Sequence, residues 1–347
     1  MIKLQNDQGI NNKDMKHCKN KIKKNKTGIL IVNLGTPDSP TTKGIKVYLK
    51  EFLSDERVIE ANKFIWQIIL RLFILPFRSP KVAKSYASIW DRDKNESPLL
   101  VNTRNQAEKM QAKLGIPTYF AMRYGNPSID SVMQKMNDDG IKEILVIPLY
   151  PQYSSATTAT VVDKVNECLG KMRRQPTIRY ARPYFQNKKY IEALNNSINN
   201  HLQDIDFKPE KIILSYHGIP RRYHKKGDPY PCHCKKTSRL LTEISPLNKD
   251  IFITTFQSIF GKQEWVKPYT NATLIKLGKS GVKNISIIAP AFASDCLETL
   301  EEICEELKDD FINAGGENFS YIPCLNDSDE SIDMLCDIAK NELKGWI

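Results

Sequence analysis

The chain has 347 residues, 41% hydrophobic and 26% charged, with 51 Lys and Arg against 40 Asp and Glu. At roughly 100–200 residues per domain this is one large domain or two ordinary ones, and the composition excludes disordered, collagen-like and small disulfide-rich chains. No apolar run approaches the ~20 residues that span a bilayer, and the N-terminus lacks the pattern of a secretory signal.

The net charge of +11 is unevenly placed. Residues 1–26 hold eight Lys, two Asp and five Asn, a composition that predicts a disordered leader. The rest carries only +5, too little to demand a nucleic-acid partner. The eight cysteines form no CxxC pair, so reduced thiols are expected. Cys232 and Cys234 flank His233 at a spacing poor for zinc and are expected to be loop residues.

Residues 28–34, Gly-Ile-Leu-Ile-Val-Asn-Leu, form an apolar run that ends in Gly35-Thr36-Pro37. Residues 211–217 form a second that ends in Gly218-Ile219-Pro220. A further pair opens at Gly140 and Gly281, each reading G-[IV]-K-x-I and each followed by a loop and a helical pattern. Continuous apolar strands alternating with helices predict parallel sheets covered on both faces. The pairing predicts two similar α/β halves, 27–182 and 183–347. Gly35 to Gly140 spans 105 residues against 63 from Gly218 to Gly281. The surplus includes residues 64–77, eleven apolar of fourteen, beside Lys63, Arg71, Arg78 and Lys81. This segment reads either as a core helix or as part of a lip over about 60–100 that dips into a lipid interface.

Ligands of open α/β sheets sit at the carboxyl ends of the strands, which singles out His217 and the loop with Tyr150 and Tyr153. After the Gly281 strand, a helical wheel puts Leu297, Leu300, Cys304, Leu307 and Phe311 on one face. Asp295, Glu298, Glu302, Glu306 and Asp309 fall on the other. Asp295 and Glu298 fit an N-cap and its capping-box partner. The rest of the stripe lacks basic partners, and carboxylates at i,i+4 repel. It therefore reads as a solvated face or as hard oxygen ligands for a divalent cation. A G-x-G-x-x-G fingerprint, P-loop, H-E-x-x-H and G-x-S-x-G are all missing, which removes dinucleotide, NTP, zincin and the usual hydrolase chemistry.

Six stretches carry a resemblance. They are Val32–Pro37, Met122-Arg-Tyr-Gly-Asn-Pro127, Ser215–Pro220, Gly227-Asp-Pro-Tyr-Pro231, Thr255-Phe-Gln-Ser258 and Ser294-Asp-Cys-Leu-Glu-Thr-Leu300. In this order and spacing the chain resembles ferrochelatases from about residue 27 onward. The resemblance implies two Rossmann-like, chelatase-type halves with four-stranded parallel sheets flanked by helices and a cleft between them. The last helix would pack back on the first half. The reaction implied is insertion of Fe²⁺ into protoporphyrin IX with loss of two protons, the last step of haem synthesis. The resemblance makes His217 and Glu298 the catalytic pair and Arg123, Tyr124 and Trp265 pocket residues; Tyr150 joins them from its strand end. His217, Glu298, Glu302 and Glu306 would handle the metal. It places the lip at the segment 64–77, so a peripheral membrane protein is expected, in the cytoplasm of a bacterium or an organelle such as the mitochondrion of a eukaryote. Cys296 stands where some relatives have histidine. The chain stops soon after Cys336, so no [2Fe–2S] cluster and no other resident cofactor are expected, and the oligomeric state is open. A chelatase for cobalt or for coproporphyrin and a non-catalytic porphyrin carrier are the rival readings. The apolar lip argues against the first two, and the presence of both His217 and Glu298 against the third.

Overall fold

The computed structural model describes residues 26–261 and 263–347. The leader expected to be disordered lies outside these, except that Lys26 opens the first strand. In chain order the first half contains β1 (Lys26–Thr36), α1 (Thr42–Leu53), α2 (Lys63–Ile69), α3 (Leu75–Ile89), α4 (Pro98–Leu114), β2 (Thr118–Gly125), α5 (Ile129–Asp138), β3 (Ile141–Pro148), α6 (Thr160–Lys171) and β4 (Thr177–Tyr180). The second contains α7 (Lys188–Asp204), β5 (Lys211–His217), α8 (Arg221–Lys225), α9 (Tyr230–Ile244), β6 (Phe252–Gln257), α10 (Thr270–Lys279), β7 (Asn284–Ile288), α11 (Leu297–Leu300), α12 (Lys308–Asn313), β8 (Asn318–Ile322) and α13 (Asp329–Glu342). Wide π-helical turns at Leu70–Ile74, Ser155–Ala159 and Glu302–Leu307 lead into α3, α6 and α12.

The strands form two parallel four-stranded sheets, ordered β2-β1-β3-β4 and β6-β5-β7-β8. The two sequence pairs occupy equivalent places, β1 with β5 and β3 with β7, at the centre of each sheet. Their apolar runs follow from that placement, because a central parallel strand is covered on both faces. Ile29, Ile31, Leu145 and Ile147 of the first sheet share one continuous core with Ile212, Leu214 and Tyr216 of the second. Helix α13 packs against both α4 and α7.

The connections differ as the spacing suggests. Residues 37–117 join β1 to β2, against 218–251 for β5 to β6. The longer one carries α1, α2, α3 and α4, the shorter α8 and α9. Leu70 and Leu75 are buried there with Ile45, Tyr48, Leu49 and Tyr86, and burial of each leucine is worth about 1.5–3 kcal/mol. Trp66 Nε1 donates to the Leu53 carbonyl at 2.6 Å. Pro76 stands in the first turn of α3, where a missing N–H costs little, while Pro80 lies inside the helix. The segment 64–77 is thus anchored by one stripe only. Phe64, Ile65, Ile68, Leu72, Phe73 and Phe77 stay exposed. No helix among the described residues is long and apolar enough to cross a membrane.

The seven cysteines among the described residues are free thiols. Cys232, His233 and Cys234 are not loop residues: they lie in the first turn of α9. The His233 ring stacks on Phe185 at 3.7 Å between centroids, and its Nδ1 accepts from the Tyr153 N–H.

Candidate active site

A cavity of about 630 Å³ opens at the carboxyl ends of β1, β3 and β5, walled on the outside by α1 and α3. That volume falls within the roughly 300–1,000 Å³ of small-molecule sites. Its walls are mostly apolar and aromatic. His217, Tyr150, Trp265, Glu298, Glu302 and Glu306 all line it.

His217 ends β5, and its Nδ1 lies 2.7 Å from the Gly218 carbonyl oxygen. A carbonyl only accepts, so Nδ1 carries a proton, and in the neutral form of the ring the lone pair lies on Nε2. Gly218 is required here, since a Cβ would stand 2.7 Å from the Gln257 carbonyl oxygen.

The acidic helix is not the regular one drawn on the wheel. It is broken into α11, a π turn and α12. The N-cap is Cys296, boxed with Thr299, and not Asp295 with Glu298. Asp295 is buried and taken by Tyr321, Asn326 and Thr299, so it faces neither solvent nor the cavity. Freed of a capping role, Glu298 turns into the cavity beside the Cys296 thiol, which burial and then Glu298 push well above the usual thiol range. The phenols of Tyr48 and Tyr86 also lie close to Glu298, and burial above all raises both. Neither tyrosine was singled out from sequence, because each belongs to a helix of the long β1–β2 connection.

Glu302 accepts from the Ser258 N–H at 2.7 Å and the Ser258 hydroxyl at 2.5 Å. Burial raises its pKa above the ordinary carboxyl value, Ser258 and His217 oppose that, and Glu298 adds to it. Glu301 lines the cavity too, accepting from Ser85 Oγ of α3 at 2.8 Å. Glu306 stands at the mouth, largely exposed and 4.0 Å from Lys81 Nζ. Among the described residues no three His, Cys, Asp or Glu side chains are placed to hold a metal ion. His217, Glu298, Glu302 and Glu306 therefore share a cavity without forming a preassembled centre: Glu302 is held by Ser258 and Glu306 sits at the rim.

Arg123 and Tyr124 are not on the cavity wall. The Arg123 guanidinium pairs with Asp55 at 2.5 Å and also donates to Thr160. Tyr124 is buried, its hydroxyl donating to Asp55 at 2.8 Å, and its ring meets Phe52, which does line the cavity. They buttress the wall from behind. Trp265 is on the wall, its Nε1 donating to the Phe260 carbonyl. The Tyr150 hydroxyl is buried without a partner among the described residues.

A family model described as Ferrochelatase matches residues 26–343. The ferrochelatase of Mesorhizobium japonicum is 51% identical over 326 residues, covering 93% of this chain and 92% of that one. The ferrochelatase of Francisella tularensis subsp. holarctica is 50% identical, covering 92% and 97%. Among solved structures, SirB from Bacillus subtilis with Fe³⁺ superposes with a TM-score of 0.54 at 14% identity, covering 91% and 95%; at that identity the likeness speaks for the fold alone. With two four-stranded parallel sheets around one cavity and about half of its residues shared with curated members, the chain belongs to the ferrochelatase family.

Proposed function

We infer that the cavity takes protoporphyrin IX and that the protein inserts Fe²⁺ into it. The observation that carries this reading is the meeting of a histidine with a free Nε2 lone pair and a cavity-facing glutamate in one apolar, macrocycle-sized space. Insertion breaks two pyrrole N–H bonds and leaves both electron pairs on nitrogen to bind the iron. Two protons depart, and the iron stays ferrous throughout. An imidazole, with an ordinary pKa of about 6.5, accepts such protons near neutral pH. His217 is assigned to this step. Glu298, on the wall of the same cavity, is assigned to metal or proton handling. Glu306 at the mouth and Glu302 inside supply hard oxygen ligands to an ion in transit. The lack of a closed ligand set suits a cargo that must be released.

The exposed apolar stripe of α2 and the following turn suits a lipid surface from which a poorly soluble porphyrin is collected. The protein is therefore proposed to be membrane-associated without spanning the bilayer. It is proposed to hold no resident cofactor, and to divide into halves near residue 182. The test of the substrate is ferrous or zinc insertion by the full chain into protoporphyrin and coproporphyrin, side by side. Preference for protoporphyrin is expected. Preference for the more carboxylated ring, or turnover of neither, overturns the reading.

A further inference from the structure

We propose that Gln257 is a positioning residue, one that fixes His217 and Glu298 relative to each other. The proposal rests on the reading above. Gln257 ends β6 in register with His217 on β5 and is only 2% exposed. Its backbone carbonyl accepts from the Gly218 N–H at 2.8 Å, immediately after the histidine. Its side chain runs the other way, to the acidic helix. Nε2 donates to the Glu298 carbonyl at 2.8 Å and reaches the Glu302 carboxylate at 3.3 Å. Oε1 accepts from Ser215 Oγ at 2.6 Å, which fixes the direction of the amide.

One residue thus ties together the strand that presents the imidazole and the helical turn that presents the carboxylate. The tie spans the break in the helix: the Glu298 carbonyl belongs to α11 and the Glu302 carboxylate to the π turn that follows, so Gln257 holds the two pieces to each other and to β5. Ser258 continues the arrangement. It adopts φ +60°, a left-handed conformation that non-glycine residues rarely take, and this aims its N–H and hydroxyl together at Glu302. Losing the Gln257 amide frees the turn to shift, and a displacement of about 1 Å at reacting groups can cost roughly 100-fold in rate.

The test compares full-length Gln257→Met with Thr270→Val. Thr270 belongs to the same buried polar chain, bonded to Ser215 and Thr255, but touches neither Glu298 nor Glu302. Both variants lose buried hydrogen bonds, so both should lower the melting temperature. Only Gln257→Met should lower kcat, by about 10- to 100-fold, while its porphyrin KM stays near that of the parent. Should Gln257→Met fail to fold, Gln257→Leu, which also lacks the Nε2 donor and adds no charge, should show the same loss of kcat. Ser258→Gly, which keeps the N–H and relieves the backbone, should stay closer to the parent than either. A folded Gln257 variant with parental kcat overturns the proposal, and so does an equal loss in Thr270→Val. His217→Ala and Glu298→Gln in the same assay separate the two failures: if they are inactive and Gln257→Met is not, only the positioning role falls.

Discussion

Charge placed on the exposed stripe of the lip should release the protein from membranes without unfolding it. Leu72 is 63% exposed and Phe73 57%, and neither belongs to the buried cluster beneath. Together they present roughly 200 Å² of apolar surface. Full transfer of that area into lipid would be worth about 5 kcal/mol, and burial to half its depth about 2.5 kcal/mol. The latter alone is roughly a 60-fold change in partitioning, and two new carboxylates add repulsion from anionic headgroups. Leu72→Glu with Phe73→Glu should therefore abolish co-sedimentation with anionic vesicles at micromolar lipid. Stability should stay within about 0.5 kcal/mol, the usual range for exposed positions. Activity on vesicle-delivered protoporphyrin should fall far more than activity on detergent-dispersed substrate. A double variant that still sediments like the parent would refute the reasoning, as would an equal loss with both forms of substrate.

Arg123→Leu should lower stability in chemical denaturation, by less than the roughly 3–5 kcal/mol of a fully buried pair, because the half-buried Asp55 keeps hydrogen bonds from the Tyr124 hydroxyl and the Arg57 N–H; Arg123→Leu with Asp55→Leu should recover part of it. Loss of porphyrin affinity at unchanged stability would instead return Arg123 to the substrate. Tyr150→Phe should leave the melting temperature unchanged or raise it, because its hydroxyl is buried without a partner among the described residues; a loss above about 1 kcal/mol would show the hydroxyl to be bonded. Freshly purified protein should contain no acid-labile sulfide. Stoichiometric sulfide with iron would show a cluster that the scattered thiols do not suggest.

The central strands were legible because burial on both faces leaves a continuous apolar run, and Gly35 and Gly218 mark their ends for steric reasons. At Gly35 a Cβ would lie 1.8 Å from the Tyr124 carbonyl oxygen. His217 was legible because a strand's carboxyl end is where a parallel sheet offers side chains to a ligand. The acidic helix was legible only as a stripe. Its breaks depend on Tyr321 and Asn326 drawing off Asp295 and on Gln257 and Ser258 holding the next turn, partners that no helical wheel contains. The place of Arg123 was not legible for a similar reason, since Asp55 and Thr160, remote in sequence, hold it behind the wall. The segment 64–77 was ambiguous from sequence because it has two sides: Leu70 and Leu75 are core, while Phe64 and Phe73 face outward. Composition alone cannot apportion a greasy helix between its two sides.

The most direct measurement is single-turnover metal insertion into bound protoporphyrin by His217→Ala and Glu298→Gln, with porphyrin binding followed by fluorescence in the same samples. Both variants should bind porphyrin as the parent does, since the apolar walls are untouched, and both should fail to insert iron or zinc. Insertion at close to the parental rate by either one would contradict the proposed assignment of proton and metal handling to these two residues of the cavity wall.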